Sequence, residues 1–257
     1  MRFTVLVENT ACRETVQPQH GLSLFVETEN QKILFDMGQD DTFIRNAQSL
    51  GIDLAQVDVA IVSHGHYDHG GGLEAFLSVN AKAPVYVHAQ AFGDYYNGTE
   101  KYIGLHQSLR DHPRLRFVSA ETKISSDLIL TDCNALNWIS DSWGLNRREG
   151  DTFLPDDFRH EQYLLLTEGN KKILISGCSH KGIVNIARHF QPDVLIGGFH
   201  LNKLEDARQL QRIGQILLQS DTLYYTGHCT GQNPFAALKA CMGSRLESIS
   251  AGLVFEV

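Results

Sequence analysis

The stretch Ser63-His64-Gly65-His66-Tyr67-Asp68-His69, followed by Gly70, Gly71 and Gly72, decides how the rest of the chain is read. It places His64, His66, Asp68 and His69, all of metal-ligand type, directly after the apolar run Val57-Asp58-Val59-Ala60-Ile61-Val62. That run predicts a buried strand, so the ligands fall in the loop at its C-terminal end. In an extended segment alternate side chains share a side, so His64 and His66 project together while Gly65 and Tyr67 point away. Two imidazoles on one side can chelate a single ion. Asp68 and His69 then turn toward a second position, helped by glycines that lack the Cβ which would block a tight bend. With 12 His in 257 residues, three at fixed places arise by chance at roughly 10⁻⁴ per position, before the Asp is required. Surface histidines on a polar loop are therefore the weaker reading.

Length and composition set the frame. A chain of 257 residues with 42% hydrophobic content can bury a full core as one large domain. The formal charge is −8 with no basic run, which argues against a nucleic-acid partner, because such binding rests on clustered Lys and Arg. No apolar run approaches the ~20 residues that span a bilayer, so no membrane role is expected. The start, Met1-Arg2-Phe3-Thr4-Val5-Leu6-Val7-Glu8, alternates like a strand and meets a charge too early for the apolar core of a signal peptide. Cys12, Cys133, Cys178, Cys229 and Cys241 are odd in number and irregular in spacing, which speaks against a disulfide framework and for a reducing cytoplasm.

Along the chain, Phe3–Glu8, Leu22–Thr28 and Lys32–Asp36 predict three strands, and Asp41 caps a helix ending at Gly51. A helix over Leu73–Val79 and a strand over Val85–His88 follow. From 89 to about 160 periodic signals weaken, and this long connection is read as an insertion that covers or lines a pocket. Its aromatics, Tyr95, Tyr96, Trp138 and Trp143, are assigned to local core ahead of ligand platforms. The second half restarts with a hairpin about Glu168-Gly169-Asn170, whose second strand ends in Gly177-Cys178-Ser179-His180. His200 and His228 each follow a further strand. The whole of 1–257 is expected as a single domain.

Several segments beyond the histidine loop match one family. They are Glu8-Asn9-Thr10, His20-Gly21-Leu22-Ser23-Leu24, Leu34-Phe35-Asp36-Met37-Gly38, Ser176-Gly177-Cys178-Ser179-His180, Gly197-Gly198-Phe199-His200-Leu201 and Thr226-Gly227-His228-Cys229-Thr230-Gly231. Together with H-x-H-x-D-H they resemble the metallo-β-lactamase superfamily. Within it they resemble the branch labelled dihydropterin-ribofuranosylaminobenzene-phosphate synthase-like.

The resemblance implies an α+β fold, the αββα sandwich, with two mirrored β-sheet halves and helices on the outer faces. It implies one or two divalent metal ions, zinc by default, with iron or manganese compatible with the same ligand types. His64 and His66 would join one ion, and Asp68, His69 and His228 the other. Two places depart from the usual pattern. Cys178 stands where a bridging Asp is common, and the usual third histidine has no clean match; His180 is the substitute, with His160 the alternative. Cys178 is either a soft ligand or simple packing. His200 is a ligand, a partner of one, or a group that meets substrate. Lys181, Arg147 and Arg148 either meet an anionic substrate or are solvated. Oxygen-reducing relatives carry Glu where His66 stands, which favours hydrolytic chemistry here.

The leading expectation is a metal-dependent hydrolase that directs a metal-bound hydroxide at a small ester, lactone, amide or phosphodiester, with Asp68 orienting the nucleophile or taking its proton. One alternative is a synthase that condenses a dihydropterin with an aryl amine; an aromatic pocket near Trp138 or Trp143 would favour it. Another is a metal-retaining binding or redox-sensing module, suggested by cysteines beside the candidate ligands. The expected partner is a small molecule, anionic or pterin-like, and a homo-oligomer is compatible with the sequence.

Overall fold

The computed structural model describes residues 1–138 and 141–257. The chain forms two compact units interleaved in sequence. Met1–Ser119, Gly144–Glu161 and Ser250–Val257 make the first, and Ala120–Trp143 with Gln162–Ile249 make the second.

Among its described residues the first unit holds a seven-stranded sheet, in the order Val254–Glu256, Arg2–Val7, Ser23–Glu27, Lys32–Phe35, Val59–Ile61, Val85–His88, Leu115–Val118. Pairing is antiparallel as far as Lys32–Phe35 and parallel from there onward. The parallel register sets Leu34 beside Ala60 and Phe35 beside Ile61. Asp36 and Ser63 therefore emerge near each other past the strand ends, and the Asp36 N–H donates to the Ile61 carbonyl at 2.9 Å. Phe43 and Ala47 on the helix Thr42–Ser49, with Leu73 and Phe76 on Leu73–Val79, pack against Leu6, Leu34, Ala60 and Val62 in one buried cluster. This packing holds the sheet edge rigid, and loss of one such buried Phe side chain costs about 3–5 kcal/mol. A separate four-stranded sheet, Thr152–Pro155, Leu145–Glu149, Tyr95–Asn97, Lys101–Tyr102, completes the unit.

The second unit repeats the plan. Its seven-stranded sheet runs Leu246–Ser248, Leu223–Thr226, Val194–Ile196, Lys171–Ile175, Tyr163–Glu168, Leu128–Thr131, Thr122–Lys123. The first four of these are mutually parallel and the rest antiparallel. Helices Ile183–Phe190, Ala207–Leu217 and Gln232–Met242 bury Ile186, Leu210, Leu217 and Leu238 with Leu174, Leu195 and Tyr224 of the sheet. In both units the candidate ligand loops follow parallel strands, where the strand C-termini leave an open crevice.

Three sequence expectations change in detail. The helix at 42 has Asp41 in the cap position, but that carboxylate makes no cap bond and pairs with Arg45; the Asp40 carboxylate takes the Thr42 N–H at 2.8 Å. The glycines after His69 do not make a bend that needs positive φ. Gly72 has φ −75, and a Cβ there would lie 2.4 Å from the Met37 carbonyl oxygen, so the demand is for room. The stretch 89–160 is not one excursion. Leu115–Val118 joins the first sheet, Thr122–Lys123 and Leu128–Thr131 join the second, and Tyr95–Asn97, Lys101–Tyr102, Leu145–Glu149 and Thr152–Pro155 form the small sheet. Strands of two to five residues are too short to show a period of two. Trp138 and Trp143 pack against the second unit's core, and the Trp138 ring meets His189 edge-on at 5.5 Å. Among the described residues no helix is long and apolar enough to cross a membrane.

Gly65, between two candidate ligands, has no space for a side chain: a Cβ would lie 2.2 Å from the Ala91 carbonyl oxygen. Gly65→Ala is expected to cost about 1–3 kcal/mol through overpacking. Urea denaturation checks this, and a variant as stable as the parent would contradict the packing described here.

Candidate functional site

Asp36 organises the histidine loop of the first unit. It is fully buried and holds φ 61, a conformation uncommon for a residue with a side chain. Its Oδ1 accepts the Ser63 N–H at 2.7 Å. Its Oδ2 accepts the Ser63 hydroxyl at 2.7 Å and faces the His69 Nδ1 at 2.6 Å. A carboxylate only accepts, so His69 donates from Nδ1 and keeps Nε2 as its lone-pair nitrogen. The Ser63 hydroxyl proton is committed to Asp36, so Ser63 Oγ accepts from His64 Nδ1, 2.9 Å away. His64 too therefore carries its lone pair on Nε2. One buried carboxylate thus sets both tautomers, the arrangement that orients metal-binding histidines.

The three rings of the motif gather closely, with the His64 centroid 4.5 Å from that of His66 and 4.2 Å from that of His69. His64, His66 and His69 are all buried. Burial pushes the His66 imidazole pKa down against the pull of Asp156, favouring the neutral, ligating form. The alternative third histidine, His160, has a different task. Its Nδ1 accepts the Gly65 N–H at 2.9 Å, and its Nε2 lies 3.1 Å from Asp156 Oδ2. Both ring nitrogens are therefore committed to protein groups, and His160 braces the backbone between His64 and His66. Burial alone would raise the Asp156 carboxyl, but His160 and His66 hold it below the usual carboxylate range. Asp68 sits at the edge of the loop with its Oδ2 3.2 Å from Nε2 of the half-exposed His20 and 4.0 Å from Nε2 of His69.

The second unit brings together a softer set. Cys178 Sγ, Cys229 Sγ and a ring nitrogen of His200 lie within 4.8 Å of one another, and the His180 and His200 rings are 4.2 Å apart. Ser179, His200 and His228 all adopt positive φ, at 59, 50 and 50 degrees. Such backbone conformations cost energy and cluster where side chains are aimed for function. Burial opposes ionisation of the Cys229 thiol, yet hydrogen bonds with Cys178 and His200, and the charges of His228 and His200, bring its pKa well below the ordinary thiol value. The thiolate is the ligating form. Lys181 is not a solvated charge: it is buried and donates to the Asp132 carbonyl and to Asn134 Oδ1 at 2.8 Å. All five cysteines are free, as the spacing implied.

Both donor sets fit a divalent ion. In the first unit the carboxylate and hydroxyl behind His64 and His69 leave an Nε2 lone pair on each. In the second, the buried His200 Nδ1 has no hydrogen-bond partner among the described residues. Nitrogen with sulfur donors suits zinc or iron better than manganese. Asp156 is a contributor absent from the sequence reading, while Asp36 and Cys229 stand in matched segments there without a role as hydrogen-bond acceptor or ligand. The signals were an Asp ending a strand beside the motif strand, and a Cys directly after His228.

Comparison with known proteins follows this chemistry. Residues 16–228 match the family model described as the metallo-beta-lactamase superfamily. An uncharacterised protein of Methanocaldococcus jannaschii is 31% identical over 238 residues, covering 88% of this chain and 90% of its own. From the same organism, 7,8-dihydropterin-6-methyl-4-(beta-D-ribofuranosyl)-aminobenzene-5'-phosphate synthase is 27% identical over 241 residues, covering 83% and 81%. Among solved structures, Tm1679, described as a metal-dependent hydrolase of the beta-lactamase superfamily, superposes with a TM-score of 0.86 at 30% identity. That likeness covers 100% of this chain and 99% of the other, and it shows the metallo-β-lactamase fold expected from the motif.

Asp36→Asn replaces one acceptor oxygen with a donor amide and disturbs both tautomers at once. Metal affinity is expected to fall by about 10–100-fold, the usual effect of losing a group behind a metal ligand. Competition with a chromophoric chelator measures it, and parental affinity in the variant would contradict the role given to Asp36.

Proposed function

The chain belongs to the metallo-β-lactamase superfamily, whose members are mostly enzymes, and from that premise we propose a metal-dependent hydrolase acting on a small ester, lactone, amide or phosphodiester. One observation carries the reading: Asp36 and Ser63 present His64 and His69 with Nε2 as the lone-pair nitrogen. A histidine cluster serving only packing has no need of fixed tautomers. The donors of the first unit are His64, His66, His69 and Asp68; those of the second are Cys178, His180, His200, His228 and Cys229. A divalent ion held by such donors supplies Lewis acidity toward a carbonyl or phosphoryl oxygen and lowers the pKa of water to about 7. Zinc is the default metal, and a two-ion site is the arrangement proposed for it.

The chain's own residues then have separable tasks. His64, His66 and His69 stay neutral to ligate, and Asp36 prevents the first and last of them from rotating. Asp68 takes the proton of the attacking water at Oδ2. His20, whose Nε2 is 3.2 Å from that oxygen and whose side chain is half exposed, passes the proton to solvent. The relative that is a synthase supplies the alternative reading. It calls for an aromatic pocket near Trp138 or Trp143; both side chains are partly buried and pack against a core cluster. Hydrolysis is preferred on the preset histidines of the first unit.

The test is purified protein of measured metal content, assayed on a panel of esters, lactones and phosphodiesters. Turnover of at least one class is expected, with Asp68→Asn lowering kcat by roughly 10²–10⁴-fold. His20→Gln is expected to lower kcat by a smaller factor and leave KM in place. Protein free of metal even after metal-supplemented growth would overturn the reading. So would fully loaded protein inert on the whole panel.

A further inference from the structure

Arg147 and Arg148, adjacent in sequence, belong to one cavity of about 570 Å³ in the first unit, together with Arg110 and Arg159. The volume is that of a small-molecule site. In a chain of net charge −8, four guanidiniums at one cavity are a local reversal of sign. The cavity's three carboxylates, Asp94, Glu149 and Asp157, pair with Arg147 and Arg148 and leave one positive charge over among the four arginines. Asp94 Oδ2 takes two N–H groups of Arg148, at 2.8 and 3.3 Å. Arg147 pairs with Glu149, and its Nε lies 3.7 Å from Asp157 Oδ2. That Nε is buried and has no hydrogen-bond partner among the described residues. Arg110 has no ion-pair partner among them either and is exposed at the rim.

The cavity's inner wall connects it to the histidine loop. Tyr95 lines it, is itself buried, and has its ring centroid 4.0 Å from that of His160, tilted, and 5.8 Å from that of His66, edge-on. The Tyr95 hydroxyl donates to the Gln90 carbonyl at 2.6 Å, which anchors the ring on the side of the cavity nearest the histidines. Phe92 adds an apolar surface beside it. A planar guanidinium fork matches the oxygens of a phosphoryl group, and four forks at one cavity carry more N–H donors, and one more charge, than its three carboxylates take up.

We propose that this cavity is a binding site for the phosphoryl group of a small organic phosphate, with Arg110 and Arg147 as its principal donors. The proposal deepens the hydrolase reading by naming a substrate class, and rests on that reading for the reaction but not for the binding.

Calorimetric titration of the metal-loaded protein with pyrophosphate, and separately with inorganic phosphate, tests it at low ionic strength. Saturable binding of pyrophosphate is expected, weakening as salt is added. Arg110→Met and Arg147→Met should each weaken it by about tenfold or more, the worth of a charged hydrogen bond, with Arg110→Lys recovering part of the loss. Because a bound metal also attracts phosphate, His64→Ala is the separating arm: it should keep pyrophosphate affinity within about threefold, less than one such bond is worth. No saturable binding at millimolar pyrophosphate, unchanged affinity in both arginine variants, or binding abolished by His64→Ala would each overturn the proposal. Failure of the hydrolase reading would look different, as intact binding without turnover of any phosphate ester.

Discussion

A single buried carboxylate, Asp36, is the constraint on which the first unit's chemistry depends. Taking a carboxylate out of water costs several kcal/mol unless hydrogen bonds replace its hydration. Here three donors do so: the Ser63 N–H, the Ser63 hydroxyl and the His69 ring. The same bonds fix where the histidine loop leaves its strand and which nitrogen each imidazole presents. Stability and function are therefore coupled at this residue. The parallel register of Lys32–Phe35 with Val59–Ile61 makes the coupling possible, because only strands running the same way bring both loops to one edge.

The loop is held from a second direction by His160. Asp36 secures the side chains, while His160 and Asp156 secure the backbone at Gly65. A ligand set supported by both side-chain and main-chain bonds reorganises little when an ion arrives, which favours tight binding. The second unit uses another device. Ser179, His200 and His228 are all held at positive φ, and Gly198 leaves room for Cys229 Sγ, which would lie 2.4 Å from a Cβ at that position. The sulfur donors Cys178 and Cys229 give that unit a softer character than the imidazole loop.

Much of this was legible because it is contiguous. The H-x-H-x-D-H stretch announces itself without any knowledge of strand pairing, and the flanking apolar runs locate strands to within a residue or two. Asp36 resisted, since its role depends on which strand lies beside the motif strand, and a sequence of short strands does not state its pairing. His160 was open to misreading for the same reason. Only the fold shows both its nitrogens already engaged. Cys229 was overshadowed by His228 next to it, and the short strands between 89 and 160 carry too few residues for a pattern. For Arg147 and Arg148 the sequence leaves an anionic substrate and plain solvation both open, because only the fold shows that they share one cavity with Arg110 and Arg159.

The claim that Asp36 and Ser63 preset the ligating nitrogens has a direct test. Anomalous diffraction at the zinc absorption edge, on crystals grown with zinc, locates the ion and the atoms around it. Density is expected about 2.0–2.1 Å from Nε2 of both His64 and His69. Their Nδ1 atoms should remain in contact with Ser63 and Asp36. Coordination through Nδ1 of either ring, or full zinc occupancy elsewhere with none at this loop, would contradict it.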